Sequence, residues 1–224
     1  MKSTLPFLLL LVSCITAGSQ RSTLAEDKSA AKVQGKWIAL FDGKTTDGWT
    51  PREEIVSFKA VNGELQLLSK KNVWVTSDLK VANFVFEGEA KIPQKDSKGF
   101  NSGFAFRCQG ETGKPKGYQC EIESANPGTN GGVYGIGLGG WIYPVADQKE
   151  EHRKRITGVF KPDDWNKYRI VCQGPRIQVF VNGVLITDIE HSGSLSGYFG
   201  IQHHGHGGMV SFRNLRVQKL PKAQ

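Results

Sequence analysis

From Trp37 onward the chain alternates apolar and polar residues with a period of two. Phe84-Val85-Phe86-Glu87-Gly88-Glu89-Ala90-Lys91-Ile92 and Phe104-Ala105-Phe106-Arg107-Cys108 each send every second side chain to one face, as half-buried strands do. Tyr168 to Cys172 repeats the pattern and pairs naturally with Ile177 to Val181. Asn62-Gly63 and Asn182-Gly183 each interrupt two apolar runs. Asn-Gly tolerates positive φ at both central turn positions, so each marks a two-residue hairpin, the second joining Ile177–Val181 to Val184–Ile189. No segment past the first residues shows a long helical period, and turn signals recur every ~8–12 residues, the spacing of an antiparallel sandwich or barrel. The expected fold is all-β, a two-sheet antiparallel jelly-roll sandwich. Gln109 to Lys116 and Leu138 to Lys161 are the expected loop insertions, and long loops on such a sandwich commonly wall a cleft.

The first residues follow another pattern. Lys2 precedes an apolar run from Leu5 to Val12, with small residues at Ser13, Ala17, Gly18 and Ser19. That run is far short of the ~20 residues a membrane span needs, so residues 1–19 read as a secretory signal. Leu11-Val12-Ser13-Cys14 also resembles a bacterial lipobox, with cleavage before Cys14 and a lipid on its sulfur. Plain cleavage near Ser19 fits equally. Residues 20–33 read as a flexible tether and 34–224 as one sandwich domain, exported to the periplasm or lipid-anchored at the cell envelope.

The 224 residues carry a formal net charge of +8, yet the charge is dispersed. The dense stretch Lys149-Glu150-Glu151-His152-Arg153-Lys154-Arg155 mixes both signs and reads as a solvated loop. No interleaving of aromatic and basic residues forms a stacking platform, which excludes nucleic acid as a partner. The only expected membrane contact is through a lipid on Cys14. Cys108, Cys120 and Cys172 are left behind the leader; Cys108 and Cys120 either pair across neighbouring strands or serve as small buried hydrophobes. No zinc-type Cys/His spacing is present.

Chemistry concentrates in two places. Three of the five histidines fall within Gly200-Ile201-Gln202-His203-His204-Gly205-His206-Gly207-Gly208, between two alternating runs. Imidazoles at a strand end offer proton transfer or metal ligation, against the plain reading of a polar hairpin loop. In an extended chain His204 and His206 share a face and His203 points away. Along Tyr118-Gln119-Cys120-Glu121-Ile122-Glu123, alternation places Gln119, Glu121 and Glu123 in one row, ~7 Å apart at Cα. Such a row resembles the acid-x-acid-x-acid strand of laminarinase-type glycoside hydrolases, but Gln119 cannot serve as their nucleophile. By the same alternation Arg107 lies opposite Phe104 and Phe106, on the face of that row if the strands are neighbours.

Several segments in order resemble one bacterial family. Leu40-Phe41-Asp42-Gly43-Lys44-Thr45-Thr46-Asp47-Gly48-Trp49 is similar to its opening "LFDGKsLdGW", and Asn101-Ser102-Gly103-Phe104-Ala105-Phe106-Arg107 to "NSGiffR". Gly117 to Ile122 resembles "GYEvQI", Gly132-Val133-Tyr134-Gly135 "GalYG", and Lys161 to Ile170 "kPaGeWNtyrI". Val179 to Gly183, Gly200 to Gly205 and Phe212 to Arg216 resemble "vwlNG", "GLQdHG" and "FRNiri". Over Trp37 to Leu220 the chain thereby resembles the 3-keto-disaccharide hydrolase domain family.

The resemblance implies a concanavalin A-like jelly-roll that cleaves glycosides already oxidised at C3 by a partner sugar 3-dehydrogenase. It carries His204, Gln202, Arg107 and Tyr134 onto the family's positions. His204 or Glu121 becomes the base, with Arg107 or a bound cation stabilising an enolate. Gln119, Glu123, Tyr134, Gln202, His203 and Trp141 become substrate contacts. Glu121 stands where the family has glutamine and His203 where it has an acid, so no cofactor is fixed; a divalent metal on His204, His206 and Glu121 is one arrangement this allows. The alternative is a non-catalytic carbohydrate-binding or surface-adhesion module, with Trp74, Trp141 and Tyr143 stacking on sugar. Asp42, Asp47 and Trp49 read as turn and core residues, and Arg213 and Asn214 as ties between the last strand and the N-terminal turn.

Overall fold

The computed structural model describes residues 35–93, 100–124, 127–205 and 208–222. The expected leader and tether, and with them Cys14, lie outside the described residues. In chain order the strands are β1 (Trp37–Ala39), β2 (Trp49–Pro51), β3 (Ser57–Val61), β4 (Glu64–Leu68), β5 (Asn72–Val81), β6 (Phe84–Lys91), β7 (Asn101–Gln109), β8 (Lys116–Glu123), β9 (Val133–Ile136), β10 (Gly140–Tyr143), β11 (Asn166–Gln173), β12 (Arg176–Val181), β13 (Val184–Glu190), β14 (Gly197–His204) and β15 (Val210–Lys219). They form two antiparallel sheets. One runs β13-β12-β11-β6-β15-β4-β3 with β1 also paired to β15, and the other runs β10-β9-β8-β7-β14-β5-β2.

Alternation builds the core between them. Phe104 and Phe106 of β7, Tyr118, Cys120 and Ile122 of β8, and Phe199 and Ile201 of β14 meet Phe84 and Phe86 of β6, Tyr168 and Ile170 of β11, and Phe212 of β15. The rings interlock edge-on or stacked, with Phe86 5.3 Å from Phe199 and Phe104 5.4 Å from Phe212. Residues of opposite parity on β5, β7, β8, β9 and β14 face outward, and there the second sheet carries the polar row.

Both Asn-Gly turns adopt the positive φ expected of them, at 51° and 79° for Asn62-Gly63 and 48° and 86° for Asn182-Gly183. The strands Tyr168–Cys172 and Ile177–Val181 pair in register from Tyr168↔Val181 to Cys172↔Ile177. Asp42 accepts the backbone N–H groups of Lys44 and Thr45 at 2.8 Å each, and Trp49 Nε1 donates to the Leu40 carbonyl at 2.6 Å. Arg213 and Asn214 bond elsewhere than expected: both donate to Glu89 of β6. Cys108, Cys120 and Cys172 are free and buried. Cys120 faces the core, whereas Cys108 belongs to the outward cluster of Trp74, Ala105 and Ile136, so the two thiols sit on opposite sides of the sheet.

The stretch read as a solvated loop contains a helix, α1 (Lys149–Ile156). Lys149 opens it, but Glu150 and Glu151 lie in the first turn and Arg153, Lys154 and Arg155 in the last, aligned with the helix dipole. Glu150 pairs with Arg153 and Lys154, and Glu151 with Arg155. Only His152 and Ile156 are buried, too few for the apolar period to show in the sequence.

Candidate functional site

The outward face of the second sheet carries a cleft of about 250 Å³ lined by Asn72, Trp74, Asn101, Lys114, Gln119, Glu121, Tyr134, Ile136, Trp141, Gln202 and His204. One glycine shapes how these polar groups lie. Gly103 of β7 stands opposite Glu121 of β8 on one side and Gln202 of β14 on the other. A Cβ on Gly103 would come within 2.5 Å of Gln119 Cγ and Cδ; the missing side chain is what lets Gln119 lie across the strand.

A directed chain of hydrogen bonds fixes the polar groups. Indole N–H is a donor only, so Trp74 Nε1, at 2.8 Å, sets which end of the Gln119 amide is oxygen. Gln119 Nε2 then donates to Glu121 Oε1 and to Gln202 Oε1, each at 2.8 Å. Gln202 Nε2 donates onward to Asn72 Oδ1 at 2.9 Å. Asn101 Nδ2 donates to Glu121 Oε2 at 3.1 Å. Glu121 is only 5% exposed. Burial is the dominant influence on it and pushes its pKa to about 7; the bonds from Gln119 and Asn101 favour the charged form, and Glu123 adds to the rise. A carboxylate titrating near neutrality, with a spare lone pair on each oxygen, is suited to act as a general base.

Six of the nine expected substrate and catalytic residues line this cleft: Glu121, His204, Gln119, Gln202, Tyr134 and Trp141. The structure takes the other three elsewhere. Arg107 is fully buried, at a break in the β7–β8 register between Phe106 and Gln109 with φ of 52°. The irregularity breaks the alternation that would have aimed it at the polar row. Its guanidinium instead donates to the carbonyls of Ala82, Gly174 and Ser194, so it supplies no charge to the cleft. His203 points into the core against Phe100, its Nδ1 accepting from Gly205 N–H and its Nε2 2.9 Å from the Gly208 carbonyl. Glu123 is held at the end of β8, where its carboxylate accepts from the Thr129 hydroxyl and Asn130 brackets its backbone.

His206 lies outside the described residues. Among the described residues no three His, Cys, Asp or Glu groups gather as a metal site; Glu121 and His204 are the two expected ligands that share the cleft. Of the stacking candidates, Trp141 is 38% exposed at the rim and meets Tyr134 edge-on at 5.7 Å. Trp74 is buried in the floor, and Tyr143 packs on His152 away from the cleft.

Asn72, Asn101, Lys114 and Ile136 are the lining residues that alternation did not single out, although Asn101 opens a recognised segment. Lys114 arrives on the loop between β7 and β8. Buried Arg52 holds that loop through the carbonyls of Gly113 at 2.7 Å, Gly110 at 2.8 Å and Thr112 at 3.0 Å. Nothing local in the sequence announces this clamp, because its partners lie some sixty positions away.

A sequence profile described as the 3-keto-alpha-glucoside-1,2-lyase-like domain matches residues 36–218. The chain belongs to that family. Two solved structures from Parabacteroides distasonis ATCC 8503, each described as a candidate glycosyl hydrolase, share the jelly-roll of this lyase-like domain. One superposes with a TM-score of 0.60 at 16% identity, covering 85% of this chain and 96% of its own. The other gives 0.58 at 20% identity, covering 83% and 100%. A carbohydrate-binding module of Bacillus subtilis, CBM66, superposes with a TM-score of 0.55 at 14% identity over 77% of this chain and 96% of that one. At such identities these likenesses concern the fold. A search of curated proteins finds no match.

Proposed function

We propose that this lyase-like domain cleaves 3-keto glycosides by β-elimination followed by hydration. The observation that carries the reading is Glu121, a buried carboxylate with its pKa raised to about 7, lining a sugar-sized cleft. A ketone at C3 acidifies the C2 hydrogen, because the electron pair left behind delocalises onto the ketone oxygen. Glu121 takes that proton. Lys114, the lysine of the lining, supplies positive charge to the enolate oxygen, the role expected of Arg107. The C1–O bond then breaks and the leaving oxygen takes a proton from His204. Water adds to C1 of the enone, giving its proton to His204, and Glu121 returns its proton to C2. The sum is hydrolysis without a pair of carboxylates, and a neutral Gln119 is compatible with it.

The substrate must first be oxidised at C3, so the partner activity is a sugar 3-dehydrogenase. The leader pattern supports export, with both steps outside the cytoplasm at the cell envelope. A second reading, a carbohydrate-binding module without turnover, is favoured by the exposed Trp141 beside Tyr134. Release of chromophore from a 3-keto-β-glucoside separates the two. The elimination reading expects turnover by the native protein and a loss in His204→Ala. Inhibition by EDTA would add a divalent ion shared by Glu121 and His204. Binding of the unoxidised glucoside with no release from the keto form would leave the binding module.

A further inference from the structure

Trp141 lines two cavities. Beyond the cleft it also walls a pocket of about 180 Å³ formed with Gly128, Thr129, Pro144, Lys149 and Arg153. We propose that this pocket is a leaving-group subsite for a ring bearing an anionic substituent. The proposal rests on the elimination reading, which requires a group on C1 to project out of the cleft past its rim.

Three observations define the occupant. The indole of Trp141 and the ring of Pro144 provide apolar surface against which a six-membered ring can lie. The charged side chains of the lining are both cationic, and among the described residues no carboxylate lines the pocket. Lys149 and Arg153 stand four residues apart on α1 and so share one face. Arg153 is engaged by Glu150 through Nε at 3.0 Å and Nη2 at 2.9 Å. Lys149 forms no ion pair with a described residue. One uncommitted ammonium over an apolar wall suits a carboxylate carried on a ring.

The pocket is also tied to the chemistry. The Thr129 hydroxyl donates to the Glu123 carboxylate, and Asn130 accepts from Glu123 N–H at 3.0 Å. The wall of the subsite is thereby fixed to β8, two residues from Glu121. This gives Glu123 a positioning role in place of the substrate contact expected of it.

A carboxylated phenol and a uronic acid are both anionic rings, and two pairs of 3-keto glucosides tell them apart. The first pair leaves 4-hydroxybenzoate or its neutral amide; the second leaves glucuronic acid or glucose. In at least one pair the acid is expected to have kcat/KM about two- to fivefold above its neutral partner, as for an exposed ion pair. The pair that shows the preference identifies the source. Lys149→Gln and Trp141→Ala should each erase that ratio, in which intrinsic leaving-group reactivity cancels between wild type and variant. Equal acid and neutral turnover in both pairs would overturn the subsite, as would a preference that survives both variants. If the wild type turns over none of them, calorimetry with the unoxidised glucosides decides. An acid preference in binding that Lys149→Gln removes would retain the subsite and overturn the elimination; no preference would overturn both.

Discussion

Burial of Glu121 opposes folding at the pH where it serves as a base. Its pKa lies at about 7 in the folded chain against an ordinary value of 4.5. Between those two values the unfolded chain releases the proton and the folded chain keeps it, so stability falls as pH rises through the window and then levels off. The full difference is at most about 3 kcal/mol. Glu121→Gln should therefore leave Tm unchanged below about pH 4.5 and raise it above about pH 7, as thermal scans across pH would show. Gly103→Ala should do the reverse. A Cβ within 2.5 Å of Gln119 displaces the amide that orders the site, at a cost of about 1–3 kcal/mol, and calorimetric unfolding together with activity should both decline. At this scale the polar row of β8 was legible, because parity alone separates Glu121 from Cys120. Arg107 was not. A left-handed residue in mid-strand breaks the parity, and nothing in the side chain itself signals that.

Strands and hairpins were read from short-range pattern, and Asn-Gly turns are legible because positive φ is a property of the two residues themselves. Helix α1 was missed for the complementary reason: it is held by charge pairs and by two buried side chains, not by an apolar stripe. One of these, His152, is fully buried, packs against Tyr143 at 5.3 Å and makes no hydrogen bond of good geometry to a described residue at either ring nitrogen. Burial lowers its pKa from 6.5 to about 4. As pH falls through that interval the unfolded chain takes up a proton that the folded chain refuses, so stability is lost toward acid. Thermal scans should find a steeper acid decline of Tm in the wild type than in His152→Leu. A parallel decline in the two would show that His152 does not anchor α1. The loop carrying Lys114 was placed by its length, but its clamp was invisible, since Arg52 reaches it only through tertiary structure.

Across the whole molecule, the two-sheet sandwich follows from a period of two sustained over most of the chain, with turns too frequent for helices of any length. The order of strands within each sheet does not follow from it. That order brings β5, β7, β8, β9, β10 and β14 side by side and gathers Trp74, Glu121, Tyr134, Trp141 and His204 from five of them into one cleft. Family motifs anticipated part of this gathering, because four of the recognised segments fall on the neighbouring strands β9, β8, β7 and β14. The opposite sheet treats its buried carboxyls differently. Glu87 there is held by Arg169 at 2.8 Å and by Arg216, and Glu89 by Arg213 at 2.8 Å. These partners keep both carboxyls below their usual range despite burial, which acts the other way. Glu121 has no such cation among its bonded partners, and its proton is held rather than shed. The most direct test is the pH dependence of kcat/KM on a 3-keto glucoside for the wild type and Glu121→Gln. The account predicts a rising limb centred at about pH 7 and a loss of roughly 10²–10⁴-fold in the variant. Turnover by Glu121→Gln at close to the wild-type rate, with the limb still in place, would contradict it.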